Sequence, residues 1–208
     1  MAEHGTCLIV AGAPYYALAD VPTADYVIAC DLGYRHARAL SLTPDLIVGD
    51  FDSYQGARPT DVPTVVLPVE KDDTDTGYAV RYAVEHGYRD IRVLYALGGR
   101  LDHTVANLQT ATRAAEDGAR VTLYGEGVRA FVFASGALRL EVTAGEWLSV
   151  LSLADRTTGV SVRGAHYTLE NATLRSDYPL GVSNRAEGEV IVEITGEGVL
   201  AVMLSTAP

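Results

Sequence analysis

The chain has 208 residues, 48% of them hydrophobic and 21% charged, which is the composition of an ordinary folded protein with material for one large or two small domains. Sixteen basic residues against twenty-seven acidic ones leave a net charge of −11, a balance that repels polyanions and argues against nucleic acid or anionic membrane as a partner. MAEHGT leads into CLIVAG with no basic segment, and no run of eighteen apolar residues follows, so neither a secretory signal nor a membrane span is expected and a cytoplasmic protein is.

The first apolar run, TCLIVAG (6–12), predicts a strand; the GAPYYAL after it lacks GxGxxG and argues against a dinucleotide site. DYVIACD (25–31) predicts the second strand, and apolar residues spaced three and four apart over 34–40 predict a helix. DLIVGD (45–50) and PTVVLP (63–68) read as two more strands. A helix is predicted over 74–86, a strand over IRVLYALGG (91–99), a helix over 102–117 and a strand over ARVTLYG (119–125). Cys7 and Cys30 fall inside apolar runs and read as buried, reduced thiols. After about Gly127 the pattern changes to short β-rich runs broken by Gly, Asn and Asp, from AFVFASG through GEVIVEITGEG to VLAVML. Trp147, inside EWLSVLSL, is expected in the core. The fold class that follows is an α/β N-terminal domain with a mainly parallel, Rossmann-like sheet over residues 1–127, joined to an all-β C-terminal sandwich domain over 128–208.

In an open parallel sheet, ligands bind beyond the carboxyl ends of the strands. Asp31 follows VIAC, Asp50 and Asp52 follow LIVG, the segment 71–75 follows VVLPVE, and Gly98, Gly99, Arg100 and Asp102 follow VLYAL, so four strand ends deliver acidic groups to one rim. Singly, each Asp reads as a turn former or helix cap. Together they repel one another unless a cation lies among them, and Mg²⁺, which favours carboxylate, phosphate and water oxygens, suits Asp50 and Asp52 as a platform. The glycines of GGRLDH allow backbone amides near an anion, and Arg100 brings a bidentate phosphate donor. Lys71 is the sole lysine against fifteen arginines and lies among these aspartates. No GxxxxGK[ST] occurs, which excludes a P-loop. Two chemistries remain open on the residues alone: a metal-bound polyphosphate site, or a phosphatase using Asp50 of the DxD turn as covalent nucleophile. His4, His36, His86, His103 and His166 show no zinc spacing, and His103 reads as structural.

The ordered set ACDLG, PDLIVGDFDS, KDDTDT, GGRLDH with Asn107, and a late GVSN resembles the thiamine pyrophosphokinase (thiamine diphosphokinase) family over almost the whole chain. The resemblance implies transfer of the terminal diphosphate of ATP to the hydroxyl of thiamine with release of AMP, Mg²⁺ as cofactor, and a homodimer with sites between subunits. On that basis Asp50, Asp52 and Asp75 would hold the metal, and Asp31, Lys71, Asp72, Gly98, Gly99 and Arg100 would contact ATP. Arg100 and Asp102 would engage the reacting groups, with Asp102 or Asp72 receiving the hydroxyl proton, and Ser183 and Asn184 would hold the thiamine pyrimidine. A diphosphokinase for another hydroxymethyl heterocycle such as a pterin, and a binding protein without turnover, are the neighbouring readings. Two departures stand out: Leu32 where the family usually has the first of two glycines, and Arg185 where an acidic residue is common.

Overall fold

The structure is a computed structural model that describes residues 4–50, 60–68 and 72–206. The first half runs β1 (His4–Val10), β2 (Tyr26–Cys30), α1 (Gly33–Ala39), β3 (Leu46–Gly49), β4 (Thr64–Val66), α2 (Asp75–Glu85), β5 (Tyr88–Leu94), α3 (Leu101–Glu116) and β6 (Arg120–Gly125). The second half is β throughout: β7 (Val128–Phe133), β8 (Gly136–Glu141), β9 (Trp147–Ser152), β10 (Arg156–Ala165), β11 (Leu169–Arg175), β12 (Asn184–Ile194) and β13 (Leu200–Ser205). The described residues are therefore mostly β, with three helices, all in the first half.

Strands β4-β3-β2-β1-β5-β6 lie side by side in that order, every pair parallel. Parallel neighbours need crossovers; helices supply those from β2 to β3 and from β5 to β6, and α2 carries the chain from the edge strand β4 across to β5. The described residues between β1 and β2 contain no helix, so the fully alternating pattern expected of a Rossmann-like sheet is only partly realised. The order reverses at β1, whose two neighbours are β2 and β5. Helices α2 and α3 cover one face, where Cys7, Ile9, Ile91, Val93, Val121 and Leu123 are buried. The other face buries Leu8, Val10, Ala29, Ile47 and Leu94 against α1 through Ala37.

Beyond β6 the sheet turns antiparallel through β7 and β13 to β9. A second layer, β8-β12-β10-β11, packs against it, and Phe133, Leu148, Val150, Val162, Val192, Leu200 and Val202 fill the space between. Strand β12 belongs to both layers. Its first residues pair with β9 and its last six with β8. Gly164, at φ +75, sits where a side chain would overlap the Glu189 carbonyl, and the β10–β12 register slips there, as a bulge that re-aims a strand requires.

Strands β7 and β13 serve two cores at once. Alternate residues Ala130, Val132 and Ala201 join the helical core, while Phe133, Leu200, Val202 and Leu204 enter the sandwich. Burial on both faces is why VLAVML reads as an unbroken apolar run. Trp147, expected in the core, is only partly buried, because the Arg185 guanidinium takes one face of its ring, 3.4 Å from the centroid, and also donates 2.6 Å to the Gly145 carbonyl.

Candidate active site

The backbone at the end of β2 sets the geometry. Asp31 has φ 43, a left-handed conformation for a residue with a side chain, and its N–H donates 2.9 Å to the Val48 carbonyl of β3. Gly49 makes that approach possible: a Cβ there would stand 3.1 Å from the Cβ of Asp31 and 3.2 Å from its Cα and N. Asp50 follows directly, and Asp75 opens α2, whose N-cap is Thr74 with its hydroxyl accepting 2.9 Å from the Gly77 N–H. Carboxylate oxygens of Asp31, Asp50 and Asp75 consequently lie within 4.8 Å of one another. Like charges at that separation repel by about 3 kcal/mol per pair at an effective dielectric of about 20, and three such pairs rival the net stability of a domain. A hard cation relieves this. The donor set, three carboxylates from two strand ends and one helix start, fits Mg²⁺.

These carboxylates border a cavity of about 460 Å³ at the carboxyl ends of β1, β2 and β5, where the strand order reverses. Asp31 and Asp75 line it, with Gly98, Gly99 and Arg100 on the opposite side. Gly98 and Gly99 have φ of +100 and +69, and a Cβ on Gly99 would come within 2.7 Å of Pro14, so this turn needs both glycines. Burial pushes the Cys30 thiol well above its ordinary value, helped by the negative charges of Asp75 and Asp31, and the protonated thiol contacts the Asp75 carbonyl at 3.6 Å.

Several expected residues stand elsewhere. Asp102 makes an exposed two-pronged pair with Arg100, at 2.6 and 3.2 Å, which holds its carboxyl below the usual range, and it is not in the cavity wall. Asp72 is exposed and also outside that wall, whereas its neighbour Asp73 is structural, binding Arg81 at 2.6 Å and the Thr74 N–H at 2.8 Å. Asp52 and Lys71 lie outside the described residues. Ser183 and Asn184 are outside the cavity wall: Asn184 lines a separate hollow of about 330 Å³ with Tyr167, Leu180 and Val182. There its amide accepts 2.9 Å from the Tyr167 N–H and donates 2.7 Å to the Tyr167 carbonyl, so it shapes the loop under that hollow.

Other wall residues were not among the expected site residues, although Asn107 belonged to the resemblance and His103 was read as structural. The loop after β1, from Ala11 to Pro14, forms one side of the cavity. It is pinned by the His36 ring to the Ala13 carbonyl at 3.0 Å, and by the Tyr95 hydroxyl, which donates 3.2 Å to the Tyr16 carbonyl. Tyr95 is fully buried at φ 55 and packs against Tyr15, Tyr16 and His36. Asn107 is buried and donates 2.7 Å to the Ala96 carbonyl, and exposed His103 also faces the cavity. Burial lowers the His36 pKa below its ordinary 6.5, with Arg35 adding to the effect and the Ala13 contact opposing it. Since the unfolded state takes up the proton first, the contribution of neutral His36 is complete above about pH 6.5 and is lost as pH falls through the lowered folded value. Thermal melts of the wild type should therefore lose midpoint on acidification through that window, and His36→Gln should flatten the profile; parallel profiles would remove His36 as the source.

Two family models cover the chain in sequence. The thiamin pyrophosphokinase catalytic domain matches residues 20–123, and the thiamin pyrophosphokinase vitamin B1 binding domain matches residues 137–199. The chain belongs to the thiamin pyrophosphokinase family. Among its relatives, thiamin pyrophosphokinase 1 of Caenorhabditis elegans is 27% identical over 150 residues, spanning 68% of this chain and 62% of that protein. Thiamine pyrophosphokinase of Bacillus subtilis is 25% identical over 211 residues, 97% of this chain and 99% of its own. The crystal structure of thiamine pyrophosphokinase from Bacillus subtilis superposes with a TM-score of 0.83 at 23% identity, covering 98% of this chain and all of that one, which establishes the shared two-domain fold. Thiamin pyrophosphokinase membership makes the chain an ATP-dependent diphosphotransferase, and sets aside the covalent phosphatase.

Proposed function

We infer that this cavity is where the chain, as a thiamine diphosphokinase, holds ATP with Mg²⁺ and passes its terminal diphosphate to thiamine. The observation that carries the reading is the convergence of Asp31, Asp50 and Asp75 within 4.8 Å beside a cavity walled by Gly98, Gly99 and Arg100. Asp50 and Asp75, with Asp31 and the neighbouring Asp52, are the residues that would hold Mg²⁺, which when bound neutralises phosphate charge. The amides of the Gly98–Gly99 turn and the Arg100 guanidinium receive phosphate oxygens, and Lys71, outside the described residues, is the further cation proposed for the phosphates. The thiamine hydroxyl attacks the β-phosphorus in line, the bond from that phosphorus to the α–β bridging oxygen breaks, and AMP leaves. A loose transition state of this kind asks the chain for alignment and charge neutralisation more than for a strong base, which suits a rim where Asp102 is already tied to Arg100.

In this reading residues 1–127 bind the nucleotide, and residues 128–208 bind thiamine and join two copies. Asn184 and the exposed side chains of Tyr167, Leu180 and Val182, with Ser183 next in sequence, surround a hollow separate from the carboxylate cavity of the same chain, which supports a homodimer bringing the two together across subunits. No helix among the described residues is long and apolar enough to cross a membrane, and a cytoplasmic enzyme is the companion proposal. The test is mass-spectrometric detection of thiamine diphosphate and AMP after incubation with thiamine and MgATP, beside a pterin alcohol as competing acceptor. Thiamine diphosphate with matching AMP supports the reading; AMP only with the pterin transfers the site to the other heterocycle, and neither product removes the activity.

A further inference from the structure

Helix α1 covers the second face of the sheet over β1, β2 and β3, and the stretch of that face on β5, β6 and β7 around Arg92, Thr122 and Phe131 lies beyond it. Helices α2 and α3 bury the residues of β5, β6 and β7 that point one way, namely Ile91, Val93, Val121, Leu123, Ala130 and Val132. By strand alternation the intervening residues point the other way. There Arg92 stands opposite Thr122, Thr122 opposite Phe131, and Tyr124 opposite Arg129, while Arg120 occupies the next row beside Asp90. Apart from Arg129, these residues line a cleft of about 380 Å³ that Leu138 of β8 closes on the sandwich side; Arg129 stands outside its wall, over the wall residue Phe131.

The charges in this cleft are not balanced internally. Arg92 is committed to Asp90 at 2.7 and 3.4 Å, and Asp90 also accepts 3.0 Å from the Thr6 hydroxyl. Arg120 and Arg129 enter no ion pair among the described residues, in a chain with eleven more acidic than basic groups. Each instead lies over an aromatic ring, Arg120 over Phe133 and Arg129 over Phe131, both 5.8 Å from the centroid. A guanidinium laid on a ring is held by its face and keeps its in-plane N–H groups free for a planar fork of oxygens. Strand spacing sets the Cα atoms of Arg92, Arg120 and Arg129 about 5–8 Å from that of Thr122. Burial raises the Tyr124 pKa, and Arg92 and Arg129 act to lower it.

We propose that this cleft is a second ligand site, separate from the carboxylate cavity, which takes the diphosphate group of a diphosphate ester on Arg120 and the Thr122 hydroxyl in its wall and on Arg129 beside it. Two independent oxyanion centres match two independent stacked guanidiniums better than a single carboxylate does. Thiamine diphosphate and ADP share this chemistry.

Calorimetric titration with inorganic diphosphate in EDTA tests it, since the three-aspartate cluster then has no metal through which to hold an anion. Wild type should bind; Arg120→Gln and Arg129→Gln should each weaken binding about tenfold, and the double variant should abolish it. Asp75→Asn should bind as wild type does, which separates this site from the catalytic one. Thermal midpoint and turnover of the arginine variants should stay at wild-type values. Equal binding by wild type and the double variant, or no heat from wild type at millimolar diphosphate, overturns the proposal. Tighter binding of thiamine diphosphate or of ADP than of inorganic diphosphate assigns the ester.

Discussion

Asp75→Asn is expected to lower kcat/KM for diphosphate transfer by roughly 10²–10³-fold, the scale for losing one element of charge stabilisation at a phosphoryl-type centre, while leaving the protein folded. The fold survives because α2 starts from the Thr74 cap and not from the Asp75 carboxylate. The sign of the stability change is the more discriminating readout. In EDTA the wild type carries three carboxylates within 4.8 Å, and the substitution removes two of the three mutual repulsions. The variant should melt at or above the wild-type temperature without metal, and Mg²⁺ should raise the wild type but not the variant. A loss of function accompanied by a large drop in the EDTA melt would instead make Asp75 a folding residue. A site that stores repulsion for the sake of its ligand is a common form of the trade between stability and activity.

Gly33→Ala should be the most damaging small substitution near the site. Alanine is worth about 1 kcal/mol over glycine inside a helix, which favours the change. The added Cβ, however, would overlap the Val10 carbonyl, and stand 2.9 Å from that of Ala11, so α1 must lift from the end of β1. Overpacking against backbone costs about 2–4 kcal/mol, so sterics win and the midpoint should fall by roughly 5–10 °C. Asp31, two residues earlier, shifts with the helix, and KM for MgATP should rise. Leu32→Gly is the control: Leu32 partly lines the cavity, its Cβ clear of the neighbouring loop, so that variant should change stability by only about 1 kcal/mol. Equal stability of Gly33→Ala and wild type in denaturant titration would show that α1 has room to move. The contrast explains how the chain tolerates leucine where a second glycine is usual: only the glycine packed on β1 lacks space.

Sequence pattern exposed the elements well where one face or both faces of a strand are apolar, as in LIVG, IRVLYAL and VLAVML, and where helical spacing is regular, as in 74–86. It also drew attention to the aspartates at the strand ends, because an aspartate after a buried strand is a local feature. What it could not supply was the order of strands, and hence which aspartates meet. Asp31 and Asp50 come together because β2 and β3 are neighbours, Gly49 has no side chain, and Asp31 takes a left-handed backbone. Asp72 and Asp102 are as acidic and as close in sequence, yet one faces solvent and the other pairs with Arg100. The loop from Ala11 to Pro14 was invisible for a related reason. Nothing in GAPYY is periodic, and its position depends on His36 and Tyr95, which are distant in sequence.

The sharing of β7 and β13 between two cores has a bearing on biogenesis. The helical half buries Ala201 of β13, a strand translated long after β6, so an emerging chain leaves part of its first core open until the sandwich has been made. Translation at about 5–20 residues per second exposes that apolar seam for seconds. Fragments that stop short of Leu200 are therefore expected to aggregate, which light scattering of such truncations against the full chain would check.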